Sequence, residues 1–340
     1  MKRLFCIGNA MVDVFAEVPA DFCKRFALTL PVQHVDHKSA VAILKTLPSG
    51  KIITAGGGAA NTAKIASYLG IQTAFTGAAG IDSFGDLFKD ELRQAGVYLY
   101  LVRKKSPTGM FLSLTGKSAE SENKDSFKHI AASPSAALEL DADDLDETMF
   151  ECRDDVPRVL FLEGFLLGRE RLVNRTLELA VKYRLSVAVD IGTTDIAADQ
   201  AMQIQQGNSL FLDKNLRSEK FPLMLFMNEK EAEAFAQVFN TGWEPLFAEL
   251  SKAPAVRIIV KLAERGSLIF TGGAVYQAKT KPVKTAEPTG AGDAFAGGFL
   301  AAWLLGEGPE QCCRKGNAAA ALVLKAPGTK GLNINNVLVM

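Results

Sequence analysis

The stretch Glu287-Pro288-Thr289-Gly290-Ala291-Gly292-Asp293 lies between two segments of opposite character. Lys279 to Thr285 before it reads as extended, and Ala294 to Leu305 after it is an apolar run of helical length. The spacing therefore puts Thr-Gly-Ala-Gly-Asp at a turn that opens a helix. The leading N–H groups of a helix have no partner within it and carry partial positive charge. Small residues there let an anion approach the backbone closely. The plain alternative is a capping Asp293 in front of a buried helix, with glycines that only turn the chain. An anion-binding turn is nevertheless an odd place for a carboxylate unless its charge is used. A base needs such a carboxylate when it takes a proton from a hydroxyl while charge builds on a neighbouring phosphoryl group.

With 340 residues the chain can form one large α/β domain or two medium ones, and 48% apolar residues support a substantial core. Basic and acidic residues balance at 38 each, without long blocks of one sign. That argues against a nucleic-acid partner bound through a broad basic face. The apolar runs fall short of the roughly 20 residues of a membrane span. Met1 to Gly8 reads as a first strand rather than a leader, because its apolar run is short and soon meets Asp13. Five cysteines without Cys-x-x-Cys spacing fit reduced thiols and a cytoplasmic location. His34, His37 and His129 form no convincing metal set.

Leu4 to Ile7 reads as a strand ending at Gly8-Asn9, followed by Asp13 among apolar residues, where a carboxylate is costly without partners. Gly56-Gly57-Gly58 precedes a helix over Thr62 to Leu69, with Asn61 at its start. From Val159 onward strands and helices alternate. The run Phe221 to Met227 is apolar throughout and stops at Asn228-Glu229-Lys230-Glu231. Such strands predict an α/β fold with a doubly wound, mostly parallel sheet flanked by helices, in a single domain over 1–340. Ligands in such sheets bind outside the carboxyl ends of the strands. Asp13, Asn228 and Asp293 all fall near strand ends or helix starts. Extended runs at Val97 to Val102 and Met110 to Thr115, with the chain from about 12 to 35, predict a small β-sheet lid. Gly116 to Ala131 reads as a polar surface loop, and Asp141 to Glu147 as a solvated helix face.

The stretch Glu287 to Asp293 resembles the Asp-Thr-Thr-Gly-Ala-Gly-Asp signature of the ribokinase (PfkB) family of sugar and nucleoside kinases, with Glu287 and Pro288 replacing the first two residues. Other motifs are similar to the family's in the same order. They are Gly8-Asn9-Ala10-Met11-Val12-Asp13, Gly56 to Asn61, Gly80-Ile81-Asp82-Ser83-Phe84-Gly85, Pro107-Thr108-Gly109, Asn228-x-x-Glu231 and Asn317-Ala318-Ala319-Ala320. Gly8-Asn9 and Leu162-Glu163-Gly164-Phe165 look most like adenosine kinases. The resemblance implies a ribokinase-like fold and Asp293 as catalytic base. It implies an anion hole from the amides of Gly290, Ala291 and Gly292. Asp13, Gly57 and Asn61 would hold acceptor hydroxyls, and Asn228 and Glu231 would order Mg²⁺ through water. Lys261, Gly266 and Asn317 would bind ATP.

The implied reaction is ATP-dependent phosphorylation of a primary hydroxyl on a nucleoside, adenosine first, or on a ketose, ribose or ketodeoxy sugar acid. A monovalent cation such as K⁺ near the signature, and a monomer or lid-mediated homodimer, also follow from the resemblance. Two departures stand out. Gly116 to Asp125 lacks the arginine that relatives carry, leaving Lys117 or Lys124 as substitutes; and Thr-x-Gly-x-x-Gly is here Lys261-Leu262-Ala263-Glu264-Arg265-Gly266. On the residues alone two other classes stay open. A dinucleotide-dependent oxidoreductase is opposed by the missing Gly-x-Gly-x-x-Gly after the first strand. A non-catalytic sugar- or nucleoside-binding protein is opposed by Asp293 and Asn228-x-x-Glu231.

Overall fold

Strands buried on both faces organise the molecule. In β1 (Leu4–Ile7) every side chain is buried, but Phe5 and Ile7 enter one apolar cluster and Leu4 and Cys6 another. The same split holds in β9 (Val159–Glu163), with Leu160 and Leu162 against Val159 and Phe161, and in β11 (Leu223–Asn228), with Leu225 and Met227 against Met224 and Phe226. Successive strand side chains point to opposite faces, so continuous apolar runs need a core on each side. The computed structural model describes residues 3–19, 21–117, 126–151, 156–207, 221–283, 285 and 287–325.

The remaining elements are β2 (Met11–Glu17), α1 (Phe22–Arg25), β3 (Val32–His34), α2 (His37–Thr46), β4 (Ile52–Gly56), α3 (Gly58–Tyr68), β5 (Thr73–Gly80), α4 (Ser83–Gln94), β6 (Tyr98–Lys104), β7 (Gly109–Lys117) and β8 (Ser126–Ser133). After β9 come α5 (Glu170–Lys182), β10 (Ser186–Asp190) and α6 (Thr194–Gln205). After β11 come α7 (Glu229–Gln237), α8 (Trp243–Leu250), β12 (Val256–Lys261), β13 (Ser267–Thr271), β14 (Ala274–Ala278), α9 (Ala291–Leu304) and α10 (Pro309–Val323). The large sheet has nine strands in the order β14-β13-β12-β11-β10-β9-β1-β5-β6. It is parallel from β12 to β6, and β13 and β14 are antiparallel. This is the expected α/β architecture. Its order reverses between β1 and β9, so the crevice for a ligand lies at their carboxyl ends. Among the described residues no helix is long and apolar enough to cross a membrane.

The small sheet runs β3-β8-β7-β2-β4. Val12, Val14, Ala16, Met110, Leu112 and Leu114 on one face pack with Ala40 and Ile43 of α2. Alternation then turns Asp13 and Ser113 to the opposite face.

Three expectations need correction. The run from Val97 does not join the small sheet: β6 pairs in parallel with β5 at the edge of the large one. It follows α4 directly, and a right-handed crossover returns a strand to its own sheet. The polar loop expected over Gly116 to Ala131 contains β8, which pairs antiparallel with β7 from Lys117↔Ser126 to Met110↔Ser133. Lys128 and His129 concealed the alternation of Phe127 and Ala131, which pack on the small sheet's core. Lys124 lies outside the described residues. The acidic segment from Asp141 forms short 3₁₀ turns at Ala142–Asp144 and Glu147–Met149 rather than a helix face, because the Asp141 and Asp144 side chains cap the first turn.

Candidate active site

The site grows from the strand ends at the reversal point. Asn9 follows β1, and Glu163 ends β9. Glu163 is buried and accepts hydrogen bonds from Asn9 N (3.1 Å), Asn9 Nδ2 (2.9 Å) and Ala59 N (3.2 Å). It therefore fastens the glycine run to the end of β1. Gly57 has φ +96°, and a Cβ there would meet the Asn9 carbonyl oxygen at 2.1 Å, so turn and close approach both require glycine. Asp13 lies over the same run, where a Cβ on Gly56 would meet its carboxyl oxygens at 2.0 and 2.2 Å. Sequence reading singled out Glu163 only as part of a resemblance. The sign of its role is the combination of a carboxylate with a strand end in an otherwise apolar run.

The signature turn closes on this cradle. Ala291 N donates to Pro288 O at 3.2 Å, and Gly290 has φ +85° and ψ −6°. This is a type II turn, whose third residue needs positive φ. The Ala291 amide, expected in the anion hole, thus closes the turn. The next amides heading α9, those of Gly292 and Asp293, have no preceding helical turn to bond. Asp293 accepts from Asn61 Nδ2 at 3.0 Å, and its Oδ1 lies 3.2 Å from where a Cβ on Gly58 would stand. Asn61, expected on substrate hydroxyls, here orients the candidate base. Burial raises the Asp293 pKa, opposed by the Asn61 bond and reinforced by Asp190. A carboxylate so placed is poised to accept a proton.

Asp13 is also raised, first by burial and then against the attraction of Lys64. Lys64 is fully buried and donates to Ala55 O at 2.6 Å. Helical periodicity alone would have placed it on a solvated face. Its ammonium supplies the counter-charge that a buried Asp13 needs.

A second group of charges lines the neighbouring strand ends. The register pairs Glu163 with Asp190 and Asn228 with Lys261. Asn228 caps α7 in a reciprocal box with Glu231: Glu231 N donates to Asn228 Oδ1 at 3.0 Å and Asn228 N to Glu231 Oε2 at 2.8 Å. Lys261 Nζ donates to both Asp190 oxygens, at 2.9 and 2.8 Å. Burial works to lower the Lys261 pKa, but Asp190, Glu231 and Asp293 outweigh it and raise it. Among the described residues no three His, Cys, Asp or Glu side chains group closely enough to hold a metal ion directly, so a divalent cation at these strand ends would be held through water. Asp190 was not among the residues expected from sequence.

Two of the residues expected on ATP have structural partners. Gly266, at φ +93°, packs so closely that a Cβ would meet Ala278 O at 2.0 Å, and Asn317 Nδ2 donates to that same oxygen at 2.9 Å. Both secure the end of β14. Likewise the Asp82 and Thr108 motifs join each other: Asp82 accepts from Thr108 N at 2.8 Å and Thr108 Oγ1 at 2.6 Å. They clamp α4 to the start of β7.

The small sheet is latched to the signature turn through Glu287, one of the two residues there that depart from the family pattern. Glu287 accepts from Lys128 Nζ at 2.6 Å, Ser113 Oγ at 2.5 Å and Thr289 N at 3.0 Å, and Lys128 also reaches Thr289 Oγ1 at 2.6 Å. Burial works to raise the Glu287 pKa, but these bonds outweigh it and lower it. Lys128 was missed from sequence because its strand was read as loop.

Comparison with known proteins gives the family and the fold. The model of the pfkB family carbohydrate kinases matches residues 46–161 and 195–335. Adenosine kinase of Saccharomyces cerevisiae is 28% identical over 349 residues, covering 96% of this chain and 95% of that protein. The crystal structure of a probable sugar kinase from Rhizobium etli superposes with a TM-score of 0.80 at 22% identity, covering 100% of this chain and 98% of that one. Adenosine kinase from Sinorhizobium meliloti gives 0.79 at 21% identity, with 99% and 98% covered. The chain belongs to the pfkB family of carbohydrate kinases and is a phosphotransferase acting on an alcohol group.

Proposed function

We propose that this kinase transfers the γ-phosphate of ATP to a primary hydroxyl of a nucleoside, with adenosine the first candidate. The observation that carries the chemistry is Asp293, oriented by Asn61 at the head of α9 and facing the glycine run at Gly58. Asp13 and the Gly57 backbone hold the acceptor's hydroxyls. Asp293 takes the proton as the acceptor oxygen attacks, and the leading amides of α9 receive the anionic group. Mg²⁺, where bound, offsets charge on the phosphates. Asn228 and Glu231, which already bond each other in the capping box, would hold it through water. A monovalent cation fits less well. The Glu287 oxygens are already engaged by Lys128, Ser113 and the Thr289 amide, so no step here uses one.

Nucleoside rather than sugar is supported by near full-length similarity to an adenosine kinase and by Phe165. This ring is 55% exposed two residues after Glu163, an open aromatic face beside the crevice that suits stacking of a base. The test is ADP formation from ATP and Mg²⁺ with adenosine, other nucleosides, ribose, fructose and ketodeoxy sugar acids. Adenosine should turn over, and Phe165→Ala should raise its KM about tenfold, stacking being worth roughly 1–3 kcal/mol per base. Turnover of a sugar alone, unaffected by Phe165→Ala, rejects the nucleoside reading. A homodimer through the small sheet would join at its edge strands, β3 or β4.

The latch carries its own expectation. Lys128 and Glu287 are only 25% and 11% exposed, so Lys128→Met removes a charge-assisted bond shielded from water. The acceptor KM should rise about tenfold, since such bonds contribute roughly 1.5–3 kcal/mol. ATP hydrolysis without acceptor should rise with it as water enters. Steady-state kinetics with and without acceptor decide this; unchanged values for both mean that the latch does not govern closure.

A further inference from the structure

We propose that the Lys261 ammonium, held at the end of β12 by Asp190, contacts the phosphoryl group in transfer at the head of α9. The proposal rests on the phosphotransferase reading of this same site. Lys261 Nζ stands 3.4 Å from where a Cβ on Gly292 would lie, against the first turn of α9. A cation is unfavourable at that end of a helix, which is itself partially positive. An anionic group lying between them would be attracted to both the ammonium and the helix start. Asp190 holds the ammonium by both oxygens and offsets the repulsion in its absence.

Two other described lysines near the turn have different partners: Lys128 bonds Glu287 and Thr289, and Lys64 bonds Ala55 O and offsets the charge of Asp13. Among the described residues, Lys261 is the cation that lies against Gly292 of the turn, and its side chain is only 16% exposed, so water screens it little. In the transfer, the acceptor oxygen bonds to the γ-phosphorus, the bond from that phosphorus to the bridging oxygen breaks, and ADP leaves. The hydroxyl proton goes to Asp293. Lys261 keeps its proton throughout and donates hydrogen bonds to the equatorial oxygens, whose charge is spread in the transition state. Asp190 is a positioning residue that acts through Lys261.

The competing explanation is that Lys261 only neutralises Asp190. Three variants separate the two: Lys261→Met, Asp190→Asn and the double variant. Lys261→Met should lower kcat about 10²–10³-fold, the range for losing one oxyanion donor, with the acceptor KM little changed. The single variant strands a buried carboxylate and is destabilising. The double variant removes both charges and is expected to fold, as paired buried charges often can be replaced together. Folding is checked by circular dichroism. The double variant should stay as slow as Lys261→Met; recovery to within threefold of the unsubstituted protein overturns the proposal.

A second readout is independent of turnover. Tripolyphosphate should raise the melting temperature of the unsubstituted protein and leave the folded double variant unshifted. Equal shifts in both overturn the proposal. If no acceptor supports ADP formation, the kinase reading of the site fails, while the tripolyphosphate result still reports on Lys261.

Discussion

Asp293→Asn is expected to lower kcat by about 10²–10⁴-fold, the contribution of a positioned general base. The acceptor KM should move little. The substitution keeps the shape of the side chain and leaves an oxygen to accept from Asn61, which now holds Asp293 at 3.0 Å. Asn61 itself lies on α3, so the amide reaches across from the acceptor cradle to the anion-binding helix. Thr62 Oγ1 also donates to the Asp293 carbonyl at 3.2 Å, a bond that does not depend on the side chain. Loss of kcat alone therefore isolates proton removal. A raised carboxyl pKa gives a second expectation. Burial lifts Asp293, so the rate should increase with pH through a range above that of an ordinary aspartate as the carboxylate forms. Retained turnover in the Asn variant, or a rate flat across the acid range, would assign the base elsewhere.

The sequence carried the sheet because apolar runs in strands have one outcome: burial on both faces. Phe221 to Met227 yielded β11, and Asn228 marked its end without ambiguity. It carried Asp293 because a type II turn and a helix start leave little freedom around Gly290. What stayed hidden was set by contacts across long separations. Lys64 looks like a surface lysine until α3 is placed between Ala55 and Asp13. Lys128 meets Glu287 across 159 residues, and Lys261 meets Asp190 across 71. No local pattern encodes which strand ends become neighbours; sheet order does. The same reasoning explains the misplaced lid strand. Tyr98–Lys104 has the composition of either sheet, and its parallel register with β5 decides between them.

Glu163 shows how such a distant contact becomes a measurable property. Glu163→Ala should destabilise the protein by about 3–5 kcal/mol, because it leaves Asn9 N, Asn9 Nδ2 and Ala59 N buried without acceptors. Glu163→Gln should cost less, since its carbonyl oxygen still accepts. The two variants also separate charge from hydrogen bonding through pH. Burial pushes the Glu163 carboxyl up from 4.5 to about 7, against the bonds from Ala59 and Asn9. The folded protein then binds more protons than the unfolded chain between those values. Stability contributed by this group is present below about pH 4.5 and is lost as pH rises to about 7. Melting temperatures from pH 5 to 8 should therefore fall more steeply for the unsubstituted protein than for Glu163→Gln. Asp13, raised by burial in the same pocket, leaves a residual slope of the same sign in both. Parallel curves for the two proteins would mean that Glu163 is ionised throughout. In that case the donors of Asn9 and Ala59, rather than burial, set its charge, and the glycine run is held against Asp293 by a permanent anion.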